Sequence, residues 1–501
     1  MTDDRRMGLG ALTDAVAPER VVGIPVGEVR ALAYDSRKVT SGTVFFAVPG
    51  DHVDGHDFVR AAVEGGAIAA VVERELPDVT APQLVVDRSR RALADAAQAW
   101  FDRPRDHLRR AIGVTGTDGK STVTALTAEV LRDCGWHPGQ IGTVFTGIGD
   151  DREPNLERTT TPEALEIQEL LARMVAAGND SVVMEATSHG LALERTRNVR
   201  FDIGVVTTVT SEHLEFHGTV EAYRAAKAKL VEEAPIAVLN ADDAAFGYFR
   251  DRARDRVITY AIDTDADLRA ADLEADAAGT TFRVTSPRWH GRARIGLPGR
   301  FNVSNALASL AVAEAMELDL ERAADALSRT GGVPGRMERV DAGQPFTVIV
   351  DYAHTTDALR KVLDILRPLT TGRLIAVFGS AGERDATKRA PMGRVAAELS
   401  DLVVVTDEDP RLEDPRVINE EIADGARSVG AADGETLWVV DDRREAIGHA
   451  IGLAKAGDVI LLAGKGHEQS IIVGTQQRPW DDRAAAREAL AAAGWGTDDA
   501  R

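Results

Sequence analysis

The sequence predicts an α/β protein built from three domains in series. Three observations carry that reading. At 501 residues the chain exceeds what one ordinary hydrophobic core accommodates and suggests about three domains. Short apolar runs of strand length alternate with helical patterns along the chain, which favours parallel sheets covered by helices on both faces. Two breaks interrupt that alternation: the polar, proline-containing segment Phe101 to Arg110, and the run Gly331-Gly332-Val333-Pro334-Gly335. The expected domains are therefore 1–109, 110–334 and 335–501.

In the first domain, apolar runs at Gly42 to Val48 and Ala67 to Glu73 alternate with helix-like stretches at Phe58 to Glu64 and Ser89 to Trp100. Phe101 to Arg110, with Pro104 inside it, reads as a linker. The second domain opens with a strand at Ala111 to Thr115, followed by buried-strand runs at Ser181 to Glu185, Phe201 to Val209, Ile236 to Asn240 and Val257 to Ala261. Between Asp267 and Leu297 polar and apolar residues alternate over short steps with turn residues, the pattern of a small antiparallel patch. An alanine-rich helix is expected over Asn305 to Leu318. The third, Rossmann-like domain repeats the strand–helix alternation, with strands at Phe346 to Asp351, Arg373 to Phe378, Leu402 to Thr406, Thr436 to Val440 and Asp458 to Ala463.

The stretch 112–122, Ile-Gly-Val-Thr-Gly-Thr-Asp-Gly-Lys-Ser-Thr, points most directly to chemistry. Glycines after a strand let backbone N–H groups close around phosphate oxygens. The Lys120 ammonium can reach the β- and γ-phosphates, and the Ser121 hydroxyl can ligate Mg²⁺. The strict phosphate-loop spacing wants glycine where Val114 stands; Gly113 and Gly116 lie on either side of the expected place. The central domain is thus expected to be a phosphate-loop, ATPase-like parallel sheet of a variant subclass, with ligands at the carboxyl ends of its strands. Two strand exits carry hard or borderline metal donors: Glu185 followed by Ala-Thr-Ser-His-Gly, and Ser211-Glu212-His213-Leu214-Glu215-Phe216-His217-Gly218. By spacing alone, Tyr223 to Lys229 reads as an ordinary amphipathic surface helix with solvated lysines. In the third domain, Asp351-Tyr-Ala-His354, Gly379 to Arg389 and Gly464-Lys-Gly-His-Glu468 all sit at strand ends.

Composition narrows the partners. Lys and Arg number 59 against 80 Asp and Glu, a formal charge of −21, which disfavours nucleic acid and anionic membrane. Cys134 is the one cysteine, so no intrachain disulfide forms. No apolar run approaches the ~20 residues needed to span a bilayer. The opening Met-Thr-Asp-Asp-Arg-Arg lacks the apolar core of a signal peptide, so a cytoplasmic location is the expectation; a monomer is expected alongside it.

Taken together, these segments resemble the Mur ligase family, and within it the branch that adds the third residue of the peptidoglycan stem peptide. Residues 113–122 resemble the family's Gly-x-Thr-Gly-Thr-Asn-Gly-Lys-Thr-Thr, Thr160-Thr161-Pro162 its threonine turn, and Glu185 to Leu191 its Glu-Val-Ser-Ser-His-Gly-Leu. Asn240-Ala-Asp-Asp, Gly299-Arg-Phe-Asn, Pro334-Gly-Arg-Met-Glu, Asp351-Tyr-Ala-His and Gly464 to Glu468 follow in family order.

The resemblance implies ATP-driven amide ligation. The D-Glu γ-carboxylate of UDP-MurNAc-L-Ala-D-Glu would attack ATP to give an acyl phosphate, and the amine of a free diamino acid would displace phosphate. ATP contacts are then expected from Gly116, Thr117, Asp118, Gly119, Lys120, Ser121, Thr122, Asn302, Arg336 and Asp351. Lys120, Glu185, His213 and Lys227 would be catalytic. Mg²⁺ would be held by Ser121 and Glu185, and by His213 with Lys227 as a carbamate, which reverses the surface reading of Lys227. The UDP precursor would meet Ser36, Asp51, His52, Val53, Thr160, Thr161, Thr187 and Arg195. The incoming amino acid would meet Arg384, Glu408, Asp409, Pro410, Arg411, Gly464 and Glu468.

Several residues depart from the family pattern: Asp118 stands for asparagine, Ser121 for threonine, Thr187 for serine, and Leu193 where glutamine is common. Glu408-Asp-Pro-Arg411 stands where diaminopimelate ligases typically have Asp-Asn-Pro-Arg. The extra carboxylate of Asp409 would welcome a terminal ammonium, so L-lysine and L-ornithine stand slightly ahead of meso-diaminopimelate as acceptors.

Overall fold

The computed structural model describes residues 5–50, 53–155, 159–210, 212–276, 279–330 and 332–496. Contacts divide the chain into two compact units, residues 1–267 with 308–319, and residues 268–307 with 320–501.

The first unit holds two sheets. The N-terminal sheet runs in the order Arg20–Val22, Gln83–Val85, Ala67–Val72, Thr43–Phe46, Ala31–Ala33, and is parallel except at its Arg20–Val22 edge. The helix Ser89–Trp100 buries Ala92, Leu93, Ala96 and Trp100 against it. The second sheet is parallel from Pro138–Ile141 through Ser181–Glu185, Arg110–Thr115, Ile203–Val206 and Ile236–Asn240 to Arg256–Ala261. Its central strands are almost wholly buried, which is why they read as unbroken apolar runs rather than alternating ones. Arg110–Thr115 lies at the middle, with later strands added on both sides, so the crevice at its carboxyl end is the switch point where such sheets bind ligands.

The second unit contains the expected antiparallel patch, Leu268–Asp276, Gly279–Thr285 and His290–Ile295. It also contains a six-stranded sheet in the order Glu338–Val340, Thr347–Asp351, Val459–Ala463, Leu374–Phe378, Leu402–Val405, Leu437–Val439, parallel apart from its first strand. The hairpin Ser470–Val473 and Gln476–Pro479 follows.

Three sequence readings change. The segment Phe101 to Arg110 is not a loose linker: Arg105 is buried and donates to the Val199 carbonyl at 2.7 Å, the Leu108 carbonyl at 2.8 Å and Asp202 at 2.6 Å. The alanine-rich helix is Arg300–Ala315, beginning directly after Gly299, whose φ of +101° suits glycine. Lys227 is not a solvated surface lysine, being 1% exposed on the helix Val220–Glu233. A hairpin, Phe145–Ile148 with Asp151–Pro154, has no counterpart in the sequence reading, because its outer strand is fully exposed and polar and gives no apolar signal.

Candidate active site

The segment 113–122, expected to bind phosphate, is set by close backbone approach. Gly116 has φ +154°, and a Cβ there would lie 1.9 Å from the Thr207 hydroxyl. That hydroxyl donates to the Asp118 carbonyl at 2.6 Å, and Thr117 N–H donates to the Thr208 carbonyl at 2.6 Å, so the loop is stitched to the neighbouring strand exit. Gly119, at φ +86°, then starts the helix Lys120–Asp133, whose first turn presents free-end N–H groups and Ser121. Thr122 is buried, and Asp118 is exposed.

Two lysines converge on this loop. Lys120 Nζ donates to the carbonyls of Gly116 at 3.0 Å and Thr117 at 2.9 Å, and Lys227 Nζ donates to the same Gly116 carbonyl at 2.6 Å. Burial, and after it the Lys120 ammonium, push the Lys227 amine well below its usual range. The Lys227 amine also lies 4.6 Å from the ring centroid of Tyr223, whose hydroxyl lies 2.8 Å from Thr117 Oγ1. Burial pushes the Tyr223 hydroxyl beyond the ordinary tyrosine range, so it stays neutral.

Glu185 ends the strand Ser181–Glu185 and is 1% exposed. Its carboxylate accepts from Ser121 Oγ at 2.9 Å, Thr143 Oγ1 at 3.0 Å and Thr143 N–H at 2.7 Å, and a Cβ on Gly142 would sit 2.5 Å from Oε1. These donors are all neutral, so a buried carboxylate beside a hydroxyl is left for a bound cation to compensate. Thr143 escaped the sequence reading; its only signal is Gly142-Thr143 at the carboxyl end of Pro138–Ile141. His213, at φ +55°, joins a separate cluster of rings. It lies 4.7 Å from His189, which lies 5.4 Å from His217, itself 5.4 Å from Tyr223. Desolvation, with help from His213 and His217, lowers the His189 imidazole to about 4. Ser121 thus meets Glu185, and Lys120 meets the loop carbonyl that also receives Lys227. His213 reaches that lysine only through the intervening rings. Among the described residues no group of three or more His, Cys, Asp or Glu side chains forms a ready metal cage, so a cation here relies on the hydroxyl–carboxylate pair.

The residues expected at the UDP precursor lie in two places of the same unit. Thr161 Oγ1 donates to the Glu185 carbonyl at 2.9 Å and receives the Thr187 N–H and hydroxyl, both at 3.0 Å; Arg195 donates to the Thr161 carbonyl at 3.2 Å. Thr160 receives Thr143 Oγ1 at 3.1 Å, which links this turn to Glu185. Ser36 belongs to the short helical turn Ser36–Lys38 of the N-terminal sheet, capped by Asp35, whose carboxyl the Arg37 guanidinium holds down at about 2. Val53 is exposed, while Asp51 and His52 lie outside the described residues. A cleft of about 1100 Å³ in this unit is lined elsewhere, by Arg91, Arg105, Glu194 and Asp202 among others, and those charges pair with one another.

In the second unit, Asn302 is buried and its amide donates to the Pro298 carbonyl at 2.8 Å. Asp351 is buried and accepts the Met337 and Ala353 N–H groups, both at 2.8 Å; burial raises its carboxyl. Arg336 stacks over Tyr352 at 4.7 Å and keeps a buried Nε without a partner. Arg384 is exposed. The loop Glu408 to Arg411 is held by the hairpin: Arg411 N–H donates to the Ile472 carbonyl at 3.0 Å, and the Arg411 carbonyl accepts from Gly474 N–H at 2.7 Å. A Cβ on Gly382 would lie 2.1 Å from the Pro410 carbonyl oxygen. Arg411 takes φ +54°, strained for a side-chain-bearing residue, and its Nε is buried and unpartnered. Glu408 is buried, with one carboxyl oxygen unpartnered and Gly464 against it; desolvation raises it to about 7. Asp409 overturns an expectation. Its side chain is 5% exposed and its Oδ1 already accepts Lys465 Nζ and Ile472 N–H, both at 2.9 Å, so its charge is shared with Lys465 rather than held free for a substrate ammonium. Glu468 is the other partner of Lys465.

Comparison with known proteins agrees along most of the chain. Residues 28–101 match the Mur ligase family catalytic domain, 114–313 the Mur ligase middle domain, and 335–466 the Mur ligase glutamate ligase domain. The chain is 49% identical to a UDP-N-acetylmuramyl-tripeptide synthetase of Roseiflexus sp., covering 94% of this chain and 96% of that one. It is 43% identical to the UDP-N-acetylmuramoyl-L-alanyl-D-glutamate–2,6-diaminopimelate ligase of Geobacillus thermodenitrificans, over 92% and 95% of the two chains. A solved structure of a ligase with that same substrate name superposes with TM-score 0.71 at 32% identity, covering 97% and 99%. With a phosphate loop, a buried carboxylate–hydroxyl pair and a lysine turned inward on one crevice, the chain belongs to the Mur ligase family of ATP-dependent acid–amino-acid ligases.

Proposed function

We propose that the chain joins a free diamino acid to the D-Glu γ-carboxylate of UDP-MurNAc-L-Ala-D-Glu in peptidoglycan precursor synthesis, with ATP as the driving nucleotide and meso-diaminopimelate as the acceptor. The reading rests above all on the Gly116 carbonyl. Burial, and after it the charge of Lys120 on the same carbonyl oxygen, lowers the Lys227 amine well below its usual range and so favours its neutral form. A neutral, buried lysine is the form that condenses with carbon dioxide to a carbamate, and that modification replaces a cation with an anionic oxygen donor beside the loop. Mg²⁺, when bound, supplies charge compensation between the triphosphate and the attacking carboxylate. Ser121 and Glu185 would hold one ion, and His213 with carbamylated Lys227 a second.

Lys120 would leave its loop carbonyls for the β- and γ-phosphates and neutralise charge as the precursor carboxylate approaches. Gly116, Thr117, Asp118, Gly119 and Thr122 would line the phosphates, and Asn302, Arg336 and Asp351 are assigned to ATP by the resemblance. Thr160, Thr161, Thr187 and Arg195 would orient the precursor, with Ser36, Asp51, His52 and Val53 at its uridine end. Arg411 and Arg384 would grip the acceptor's carboxylate, with Glu408, Pro410, Gly464 and Glu468 around it. The partition 1–109, 110–334 and 335–501 remains the proposed division of labour between precursor, ATP and amino acid. The preference for L-lysine or L-ornithine gives way to diaminopimelate, the amino acid named for a ligase 43% identical to this chain.

Phosphate release from ATP, measured with UDP-MurNAc-L-Ala-D-Glu and meso-diaminopimelate, L-lysine, L-ornithine or D-Ala-D-Ala in separate reactions, tests the proposal. Turnover with meso-diaminopimelate is expected. Turnover with D-Ala-D-Ala alone would assign a different ligase step, and silence with every acceptor would reduce the chain to a nucleotide-binding homologue.

A further inference from the structure

Lys465 has no part in the assignments above, yet its side chain is fully buried and its amine lies between two carboxylates. The backbone is shaped to turn it inward. It stands between Gly464 at φ +106° and Gly466 at φ +50°; a Cβ on Gly466 would lie 2.7 Å from Tyr352 Cβ, and one on Gly464 would lie 3.0 Å from Glu408 Oε2. Its Nζ bonds Asp409 Oδ1 at 2.9 Å and Glu468 Oε2 at 2.5 Å. The two acids differ in exposure: the Asp409 side chain is 5% exposed and that of Glu468 20%.

We propose that Lys465 is a positioning residue for the acceptor, an inference that rests on the acceptor-site reading of residues 408–411. Its ammonium neutralises Asp409 inside the fold and fixes Glu468 beside the acceptor loop. Two carboxylates share one ammonium, so the set carries one uncompensated negative charge. Asp409 is the more buried acid and receives Lys465 and the Ile472 N–H on one oxygen, so that charge is presented chiefly at Glu468. With an asparagine at 409, the Lys465 charge would be balanced by Glu468 alone. The acidic residue at 409 therefore acts at a distance: it draws off part of the lysine's charge and leaves Glu468 the stronger acceptor for an amino group at the far end of a diamino acid. Asp409 also anchors Arg411, two residues on, through the same hairpin strand whose Ile472 carbonyl receives the Arg411 N–H. Removing the lysine leaves two carboxylates unbalanced, one of them tied through Ile472 to the backbone that carries Arg411.

A double-mutant cycle of Lys465→Met and Asp409→Asn, read as KM for meso-diaminopimelate and separately for ATP and the UDP precursor, tests this. Lys465→Met is expected to raise the diaminopimelate KM by ~30-fold or more while the other two KM values stay within ~3-fold, and Asp409→Asn alone should stay within ~5-fold. In the Asp409→Asn background the effect of Lys465→Met should shrink several-fold, because one of the two stranded carboxylates is gone. An unchanged diaminopimelate KM in Lys465→Met, or effects that simply multiply, overturns the proposal. If Lys465→Met alone does not fold, the double variant, which removes one buried charge of each sign, is compared with Asp409→Asn. A diaminopimelate KM ~10-fold higher is expected, and an equal one overturns the proposal. Arg411→Ala is run alongside: if it leaves the diaminopimelate KM unchanged, the acceptor-site reading fails and this inference with it. If Arg411→Ala raises that KM and Lys465→Met does not, the inference alone fails.

Discussion

The lysines at the phosphate loop rest on a backbone carbonyl, whereas the lysine at the acceptor loop is closed between two carboxylates. Both arrangements satisfy a buried amine, but they differ in what it costs to redirect it. A carbonyl is a neutral partner, and exchanging it for a phosphate or a carbamate strengthens the electrostatics. A carboxylate partner is already the stronger one, and pulling Lys465 away strands a buried charge. The first region is thus built to hand its charges to ligands, and the second to keep its charges and present a fixed shape. Substitutions in the first should show in kcat or vanish with a surrogate ligand; those in the second should show in KM for one substrate.

The largest effect is expected at Lys120. Lys120→Ala removes the charge proposed to meet the β- and γ-phosphates and should lower kcat/KM by at least ~10³-fold, or about 4 kcal/mol of transition-state stabilisation. Circular dichroism should be unchanged, since the lysine's present partners are carbonyls of a loop that Thr207 and Thr208 also hold. Near-normal turnover would sink the phosphate-loop assignment. Lys227→Ala comes next, with an expected loss of ~10²-fold or more that short-chain carboxylates such as acetate or formate partly restore by supplying the missing oxygen donor. Loss without rescue would argue for a packing role against Tyr223 instead of a carbamate, and full activity would remove Lys227 from the mechanism.

The same contrast explains what the sequence disclosed. Strands such as Ser181–Glu185, Ile236–Asn240 and Val459–Ala463 were legible almost to the residue, because burial on both faces leaves an apolar run that ends where a functional side chain begins. Gly116 and Gly119 were legible for a similar reason, since the loop needs conformations or approaches that other residues refuse. Lys227 was not, because a helix that packs one lysine inward looks by periodicity like one that solvates it; only the ordered resemblance along the chain pointed the other way. Thr143 left no trace, since a threonine after a glycine at a strand end is common and its value lies in meeting Glu185 across the sheet. Asp409 misled for the opposite reason. Its extra charge was visible, and its partner Lys465, 56 positions on in the chain, was not.

Glu408 offers the smallest and sharpest test, because it is the one acid of the acceptor loop left with an unpartnered oxygen. Desolvation raises it from 4.5 to about 7, against the pull of Lys388, Lys465 and Arg443. The sign follows from the raised value: the unfolded chain loses its proton first, so the group costs nothing below about 4.5 and its cost grows to at most about 3 kcal/mol by about 7. Glu408→Gln should therefore leave Tm unchanged near pH 4.5 and raise it at pH 8. Acceptor binding should move oppositely. On the proposed acceptor site an ionised Glu408 would attract the substrate's ammonium, so the diaminopimelate KM should rise several-fold as pH falls from 8 to 6 in the natural protein and change less in Glu408→Gln. Deprotonation of the attacking amine contributes equally to both proteins, so the difference between the two profiles isolates the carboxyl. Parallel profiles would mean that Glu408 is buried for structure alone, and that the ammonium is read by Glu468 without it.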